Sequence, residues 1–118
     1  MTKEELKKRL KQYALSVARL VLKLPYNTVN KNYSDQCNRA ASSAAANYRA
    51  ACRAKSNADF INKLKIVEEE LDESLFFEEM IEYINSTFSE EIQTIYKEGN
   101  ELLSIIVASL NTLRRNYK

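Results

Sequence analysis

The fold is indicated most clearly by residues 2–25, which read TKEELKKRLKQYALSVARLVLKLP. Thr2 and Glu5 form a capping box, in which a hydroxyl and a carboxylate each satisfy a backbone N–H at a helix start. Apolar side chains then recur at alternating spacings of four and three residues, which makes one apolar stripe along a helix. The members of this stripe are Leu6, Leu10, Tyr13, Val17, Leu20 and Leu24. Pro25 ends the pattern, so residues 3–24 are predicted to form an amphipathic helix.

Three further helices are predicted by the same kind of signal. Serines provide the expected N-caps, because a serine hydroxyl accepts a hydrogen bond from the backbone at a helix start. These caps are Ser34, Ser56 and Ser89. Residues 26–33, between the first two helices, are predicted to be the longest loop. The four predicted helices cover residues 3–24, 35–54, 57–85 and 90–115.

The composition favours helices throughout the chain. Its 118 residues include one Gly, one Pro and no Trp, which leaves few residues that end helices or form tight turns. No segment has the alternating apolar pattern of a strand. A chain of this length buries one core. We therefore predict an all-α, antiparallel up-down four-helix bundle that forms a single domain over residues 1–118.

The charge is unevenly distributed, although the net charge is only +2. Residues 1–30 and residues 31–65 each carry seven basic and two acidic side chains, whereas residues 66–101 carry one basic and twelve acidic side chains. Opposite charges on different helices favour pairing within one bundle or between copies, and a basic face can also bind a polyanion. Pairing within the bundle is the simpler interpretation. At the end of the chain, Arg114, Arg115 and Lys118 complement the dipole of the last helix.

The second predicted helix has small residues on two sides. Its inward stripe includes Cys37, Ala44 and Tyr48. The opposite side, flanked by arginines, carries Ser42, Ser43, Ala46 and Ala50. Two interpretations remain open for this outward side: a solvent face with short side chains, or a surface on which a helix of another subunit packs closely.

The third predicted helix is apolar on more than one side. Its main stripe consists of Phe60, Leu64, Val67, Leu71 and Leu75. Nearly opposite this stripe lie Ile66, Phe77, Met80 and Ile84. One buried stripe per helix is enough for a four-helix bundle, so the second stripe predicts an oligomer interface. Glu69 and Glu73 on the same helix are included in this interface, and they are expected to pair with basic residues of the second helix or of a neighbouring copy.

Several kinds of chemistry are excluded by residue types that are missing. The chain has no His, so it lacks the Glu-x-x-His pairs of di-metal carboxylate bundles and any His-activated nucleophile. A single Gly cannot build a Gly-rich phosphate-binding loop. Only the acidic cluster of the third helix supports an enzymatic role. We therefore predict no catalytic residue, no metal site and no cofactor, and a protein that is not an enzyme.

The location of the protein is predicted from its hydropathy and its cysteines. No apolar stretch reaches the length of about 18 residues that spans a bilayer, and the charged N-terminus lacks the apolar region of a signal peptide. We therefore expect a cytoplasmic protein without a membrane partner. Cys37 and Cys52 are 15 residues apart on one predicted helix, which is too far for a disulfide. They are expected to be reduced and buried.

A further pattern covers the second and third helices. Its residues are Asp35, Gln36, Arg39, Ala40, Ala41, Ser43, Asn47, Ser56, Asp59, Phe60 and Glu73. Together with the helix pattern of almost the whole chain, they resemble the four-helix-bundle family named for proteins encoded in intervening sequences of bacterial 23S rRNA genes. More distantly, the chain resembles the accessory variability determinant of diversity-generating retroelements.

The chain departs from the commonest form of this family at two places. Many members have Pro at the position of Ala45, and Ala-Glu-Gly at the positions of Arg49, Ala50 and Ala51. The resemblance is therefore to a subgroup with an unbroken second helix. It implies an antiparallel bundle and a ring-like homo-oligomer, with a pentamer as the expected size. It implies no activity, and only the retroelement relative suggests binding to RNA or to a nucleic-acid enzyme.

Two functional hypotheses follow. The first is a homo-oligomeric scaffold or adaptor, which assembles through the second stripe of the third helix and the small outward side of the second. The alternative is an accessory protein that binds RNA or DNA through a basic face of the second helix and the turn after it. The residues of this face are Arg39, Arg49, Arg53, Lys55, Lys63 and Lys65.

Overall fold

The computed structural model describes residues 1–116, of which nearly all are helical. The four α-helices are α1 (Lys3–Lys23), α2 (Thr28–Ala51), α3 (Asn57–Ile84) and α4 (Ser89–Asn116), with a short 3-10 turn at Ser86–Phe88. This confirms the predicted all-α class. Lys118, which was predicted to complement the dipole of the last helix, lies outside the described residues.

The helices form an antiparallel up-down bundle with dimensions of 47 × 22 × 20 Å. α1 packs on α2 and α4, and α3 packs on the same two helices, so α1 and α3 lie at opposite corners. The most extensive packing is between α2 and α3. Alanines on the inward side of α2 allow this close approach; they are Ala40, Ala44 and Ala51, all buried. The predicted four-helix bundle is therefore confirmed.

The first two helices differ in how well their starts were predicted. In α1 the hydroxyl of Thr2 accepts a hydrogen bond from the backbone N of Glu5 at 3.1 Å, as the capping box requires. In α2 the predicted N-cap Ser34 and the predicted loop over residues 26–33 are wrong. The helix begins at Thr28, because Oδ1 of Asn27 accepts a hydrogen bond from the backbone N of Asn30 at 2.8 Å. An Asn cap therefore starts the helix before Ser34.

The starts of α3 and α4 also differ. Ser56 caps α3 as predicted and accepts a hydrogen bond from the backbone N of Asp59 at 3.1 Å. The predicted cap Ser89 is wrong, because this residue has helical φ and ψ of −54° and −44° and is the first residue of α4. Its hydroxyl instead donates to Oε2 of Glu82 at 2.6 Å. The 3-10 turn leads directly into α4 and leaves no room for a separate cap.

The core consists of the stripes predicted for the first three helices, with few changes, and of an apolar stripe on α4. The buried members of the α4 stripe are Ile92, Ile95, Leu102, Ile106 and Leu110. Gly99 is buried beside the Tyr13 ring, and a Cβ at this position would lie 2.7 Å from Cε1 of Tyr13. The glycine therefore makes room for a side chain of α1. Cys37 and Cys52 are both free; Cys37 is buried as predicted, whereas Cys52 is only half-buried.

Length and apolarity are the two requirements for a helix that crosses a membrane. None of the helices within residues 1–116 meets both requirements.

Candidate functional site: the outer faces of helices 2 and 3

Ion pairs join α2 to α3 at the outer seam between them. Nη1 of Arg39 donates to Oε2 of Glu70 at 2.9 Å, and Nη2 donates to Oε2 of Glu73 at 2.5 Å. These contacts, with the bond to Glu73 as the largest cause, raise the pKa of Arg39. Arg39 was predicted to bind a polyanion and Glu73 to line an oligomer interface. The structure brings the two residues together, so the charge of Arg39 is matched within the chain.

The other predicted basic residues do not share one face of α2. Nζ of Lys63 contacts Oδ1 of Asp59 at 2.6 Å, one turn earlier in α3. The remaining four are exposed and have no ion pair within residues 1–116. They are Arg49, Arg53, Lys55 and Lys65. These four lie at the end of α2, in the following turn and at the start of α3, and thus at one end of the bundle.

The second stripe of α3 is partly exposed. Ile66 is 41% exposed and Ile84 is 47% exposed, whereas Phe77 and Met80 are half-buried. The Phe77 ring lies 6.0 Å from the Tyr33 ring of α2, between their centroids. The stripe predicted for an oligomer interface therefore serves the chain's own packing in its middle and faces solvent towards both ends.

Sequence reasoning missed Phe76, which is 53% exposed on the same side of α3. Its ring meets the edge of Phe77 at a centroid distance of 5.1 Å. The sequence contained a signal for Phe76. Phe76 lies seven residues after Glu69 of the predicted interface, and a spacing of seven places two residues on the same side of a helix. Glu69 itself is exposed.

The outward side of α2 is shallow. Ser42 and Ala46 are exposed, and Ser43 and Ala50 are half-buried. The side-chain amide of Asn47 donates to the backbone carbonyl and the hydroxyl of Ser43, at 2.9 Å and 3.0 Å. No long side chain stands on this central strip, which leaves the backbone of α2 open to close approach.

Four surface carboxylates of α3 bind neighbouring helices. Beside the two that bind Arg39, Oε2 of Glu79 accepts a hydrogen bond from the Tyr96 hydroxyl at 3.0 Å, and Glu82 accepts from Ser89 and Gln93 of α4. Within residues 1–116, no three His, Cys, Asp or Glu side chains are grouped as a metal site requires. Contacts between helices therefore account for these four carboxylates.

Glu78 is the exception, because it is fully buried at 0% exposure. Its Oε2 is hydrogen-bonded to the Tyr13 hydroxyl, which also lies 2.7 Å from the Ser74 hydroxyl. The Ser74 hydroxyl donates to the backbone carbonyl of Leu71 at 2.8 Å. Nearby, Sγ of Cys37 donates to the backbone carbonyl of Ser74 at 3.5 Å. A polar cluster thus crosses the core between the opposite helices α1 and α3.

The protonation state of this cluster follows from its burial. Burial raises the pKa of Glu78 to about 8, although the Tyr13 hydrogen bond acts in the opposite direction. Burial also raises the pKa values of Tyr13 and Cys37. The Tyr13 hydroxyl donates to Oε2 of Glu78, and the Ser74 hydroxyl donates to the Leu71 carbonyl. Both hydroxyl hydrogens thus have acceptors, whereas Oε1 of Glu78 has no partner within residues 1–116.

The sequence contained a signal for this cluster. The inward positions of α3 follow one another at spacings of three and four residues, and the series is Leu64, Val67, Leu71, Ser74, Glu78 and Ile81. Continuing the predicted apolar stripe by this spacing places Ser74 and Glu78 in the core. The stripe was predicted from apolar residues alone and therefore missed both.

A second buried polar pair joins the first turn of α2 to the end of α3. The side-chain amides of Asn30 and Asn85 donate to each other's Oδ1 at 2.9 Å and 2.8 Å. Asn30 also donates to the carbonyl of Pro25, and Asn85 to the carbonyl of Ile81. Both side-chain nitrogens and both side-chain oxygens therefore have partners, which is the usual condition for burying them.

Comparisons with known proteins support the fold. A sequence model of the family described as 23S rRNA-intervening sequence protein matches residues 3–108. The crystal structure of a protein with unknown function from the S23 ribosomal protein family of Bacteroides thetaiotaomicron is similar, with a TM-score of 0.81 and 27% sequence identity. The similarity covers 94% of this chain and 99% of that chain. A comparison with curated proteins gave no match.

Proposed function

This chain belongs to the 23S rRNA-intervening sequence protein family, and from that premise and from its outer surface we propose that it is a non-enzymatic scaffold that assembles with copies of itself. Neither the family nor the similar crystal structure indicates an enzymatic class. The buried Glu78 cluster has no access to a substrate. The surface features described above are therefore the basis for function.

The observation that carries the proposal is the exposed apolar row on α3. Ile66, Phe76 and Ile84 stand on one side of a single helix, each with two-fifths or more of its surface exposed. Scattered exposed apolar residues are common, but an apolar row along one helix is typical of a surface that a partner covers. Burying such side chains gains about 25 cal/mol for each Å² removed from water.

The outward side of α2 is the complementary surface in this proposal. Its short side chains at Ser42 and Ala46 admit large apolar side chains of a neighbouring copy.

The positions of the two faces favour a closed ring. α2 and α3 are adjacent corners of the bundle, so their outward directions differ by about 90°. When neighbouring copies contact each other through two different faces, the assembly closes into a ring if the angle between the outward directions of these faces equals the interior angle of the ring. This interior angle is about 90° for four copies and about 108° for five. The pentamer that the family resemblance implies lies in this range. A contact through the opposite helices α1 and α3 would instead extend without closing.

The test is the molar mass in solution, measured by light scattering after size exclusion at about 50 μM protein. We expect a discrete multiple of 13.6 kDa for the natural sequence. Phe76→Glu and Ala46→Glu each place a carboxylate in one of the two faces, and each should yield monomers. Leu22→Glu is the matched control, because Leu22 is 84% exposed on α1 and lies outside both faces.

Mixing the two variants tests the pairing itself. Each variant retains one intact face, so an equimolar mixture should form a dimer with twice the mass of 13.6 kDa. A natural chain that stays monomeric at this concentration contradicts self-assembly. A control variant that dissociates equally, or a mixture that remains monomeric, contradicts the assignment of the faces. Circular dichroism of each variant identifies any loss of folding.

A further inference from the structure

The up-down topology collects charges from four helices at one end of the bundle. The starts of α1 and α3 and the ends of α2 and α4 meet there. We define the basic end as residues 1–9, 49–65 and 107–116, which contain eleven basic and three acidic side chains. The basic residues are Lys3, Lys7, Lys8, Arg9, Arg49, Arg53, Lys55, Lys63, Lys65, Arg114 and Arg115.

Most of these charges are unmatched. Lys7 pairs with Glu4, Arg9 with Glu98 and Glu101, and Lys63 with Asp59. The other eight are exposed and have no ion pair within residues 1–116. They are Lys3, Lys8, Arg49, Arg53, Lys55, Lys65, Arg114 and Arg115. This end therefore presents a dense positive surface to solvent.

Helix stability explains only part of this surface. Arg49, Arg114 and Arg115 lie in the last turns of α2 and α4, where cations complement the helix dipole. Lys3 lies in the first turn of α1, where the dipole opposes a cation, and Lys8 lies beyond the reach of the dipole. Cations at helix starts and ends alike indicate a surface that binds an anionic partner.

The other side chains of the basic end restrict the class of partner. Within residues 1–116, the large apolar side chains exposed at this end are Met1 and, at its border, Ile66, which are fewer than the anchors of a membrane-binding surface. Tyr48 is buried, and Nζ of Lys3 covers the Phe60 ring at 4.6 Å from its centroid. Within residues 1–116, the half-buried Phe60 is therefore the one partly accessible aromatic ring of this end, which is fewer than the stacked aromatic rings that bind unpaired bases.

We propose that the basic end binds the phosphate backbone of a nucleic-acid duplex without reading its bases. Four of its unmatched residues are arginines, whose planar guanidinium groups bind phosphate with two hydrogen bonds. The end of the bundle measures about 22 × 20 Å, which is enough to reach phosphates on both sides of a major groove of about 12 Å. A single copy already presents this surface, and in a cyclic oligomer the basic ends of all copies lie on the same side.

The test compares variants with equal loss of charge. Fluorescence anisotropy measures the binding of labelled 20-base-pair RNA and DNA duplexes of two unrelated sequences at 50 and 200 mM NaCl. Arg49→Gln with Arg53→Gln should weaken binding about tenfold and reduce the slope of log affinity against log salt by about two. Arg114→Gln with Arg115→Gln should do the same from a different helix. The control is Arg19→Gln with Lys97→Gln, two exposed cations outside the basic end, which should change affinity less than about twofold.

Similar affinities for the two duplex sequences support binding through the backbone. Binding to no duplex at 50 mM NaCl overturns the proposal, and so does a control variant that weakens binding as much as the basic-end variants. A strong preference for one sequence also overturns it, as does binding to polyglutamate or anionic vesicles in preference to the duplexes. Circular dichroism of the variants confirms that they are folded.

Discussion

The two ends of the bundle bury and expose opposite kinds of side chain. At the basic end the interior is apolar, with Leu6, Leu64 and Leu110 buried, and the surface is charged. The other end, which we call the apolar end, contains the end of α1, the start of α2, the end of α3 and the start of α4. It exposes Leu22, Tyr26, Tyr83 and Ile84. Its half of the bundle buries Asn30, Ser74, Glu78 and Asn85.

The difference separates two kinds of surface. The basic end follows the ordinary rule that apolar groups leave water and charges remain in it. The apolar end departs from this rule on both counts. Its half of the bundle buries polar groups, which must then be hydrogen-bonded, and its surface leaves apolar side chains in water, where the free energy of burying them is not gained. A surface of the first kind, with unmatched charges in water, is suited to contact with a polyanion.

The largest expected effect tests the apolar interior of the basic end. Leu110→Ala should lower the free energy of unfolding by about 3 to 4 kcal/mol, because it leaves a cavity in a fully buried layer. Tyr83→Ala is the contrasting change at the apolar end, where the side chain is 89% exposed, and should cost less than about 0.5 kcal/mol. Urea denaturation at low micromolar concentration measures both. Equal costs would contradict the difference between the ends.

The next effect concerns the pH dependence of the buried carboxyl. Because burial raises the pKa of Glu78 to about 8 from its ordinary value of 4.5, the folded state holds a proton that the unfolded state releases between these values. Stability should therefore fall as pH rises from 4.5 to about 8. Glu78→Gln retains a hydrogen-bond donor but cannot ionise, so it should be more stable by about 2 to 3 kcal/mol at pH 8.5.

The matched control for Glu78 is the exposed neighbour Glu79. Urea denaturation of Glu78→Gln, Glu79→Gln and the natural chain from pH 5 to 8.5 compares the slopes. Only Glu78→Gln should remove the fall in stability. A natural chain with equal stability across this range would show that Glu78 is not held neutral by its surroundings.

A smaller effect is expected for the amide pair of the apolar end. Asn85→Ala leaves Oδ1 of Asn30 without its donor, which should cost about 1 to 2 kcal/mol. Asn47→Ala removes an amide from the half-buried outward side of α2 and should cost less than about 0.5 kcal/mol. Thermal unfolding of both variants distinguishes them. A cost for Asn85→Ala as small as that for Asn47→Ala would mean that water replaces the lost partner.

The smallest effect tests repulsion at the basic end. Arg49→Gln with Arg53→Gln should change the free energy of unfolding by less than about 0.5 kcal/mol at 50 mM NaCl. Raising the salt to 500 mM should stabilise the natural chain more than this variant, because salt screens repulsion between like charges. Thermal unfolding at the two salt concentrations measures the difference. An equal response to salt would show that the charges of this end do not repel one another appreciably.

Prediction from sequence succeeded where a local pattern is sufficient. The stripe of α1, its capping box and the Ser56 cap are all encoded by residues a few positions apart. It failed where two segments distant in sequence meet. The start of α2 at Thr28 was missed although its Asn27 cap is local, whereas the pairing of Asn30 with Asn85, 55 residues away, is contained in no local pattern.

The candidate surfaces show the same division. The second stripe of α3 was predicted from spacing, although its middle packs against Tyr33 and its exposed part includes the unpredicted Phe76. The basic residues were predicted individually but assigned to one face of α2. Arg39 is instead matched by Glu70 and Glu73, and the unmatched residues gather at one end.

The sequence by itself determined that the chain forms four amphipathic helices, because apolar spacing and helix propensity act over a few residues. It also determined which side of each helix contributes to the core, apart from Ser74 and Glu78. Only the tertiary structure decided which charges are matched, since ion pairs such as Arg9 with Glu98 join residues far apart in sequence. It likewise decided that cations from all four helices meet at one end while exposed apolar side chains gather at the other, because this depends on the antiparallel order of the helices.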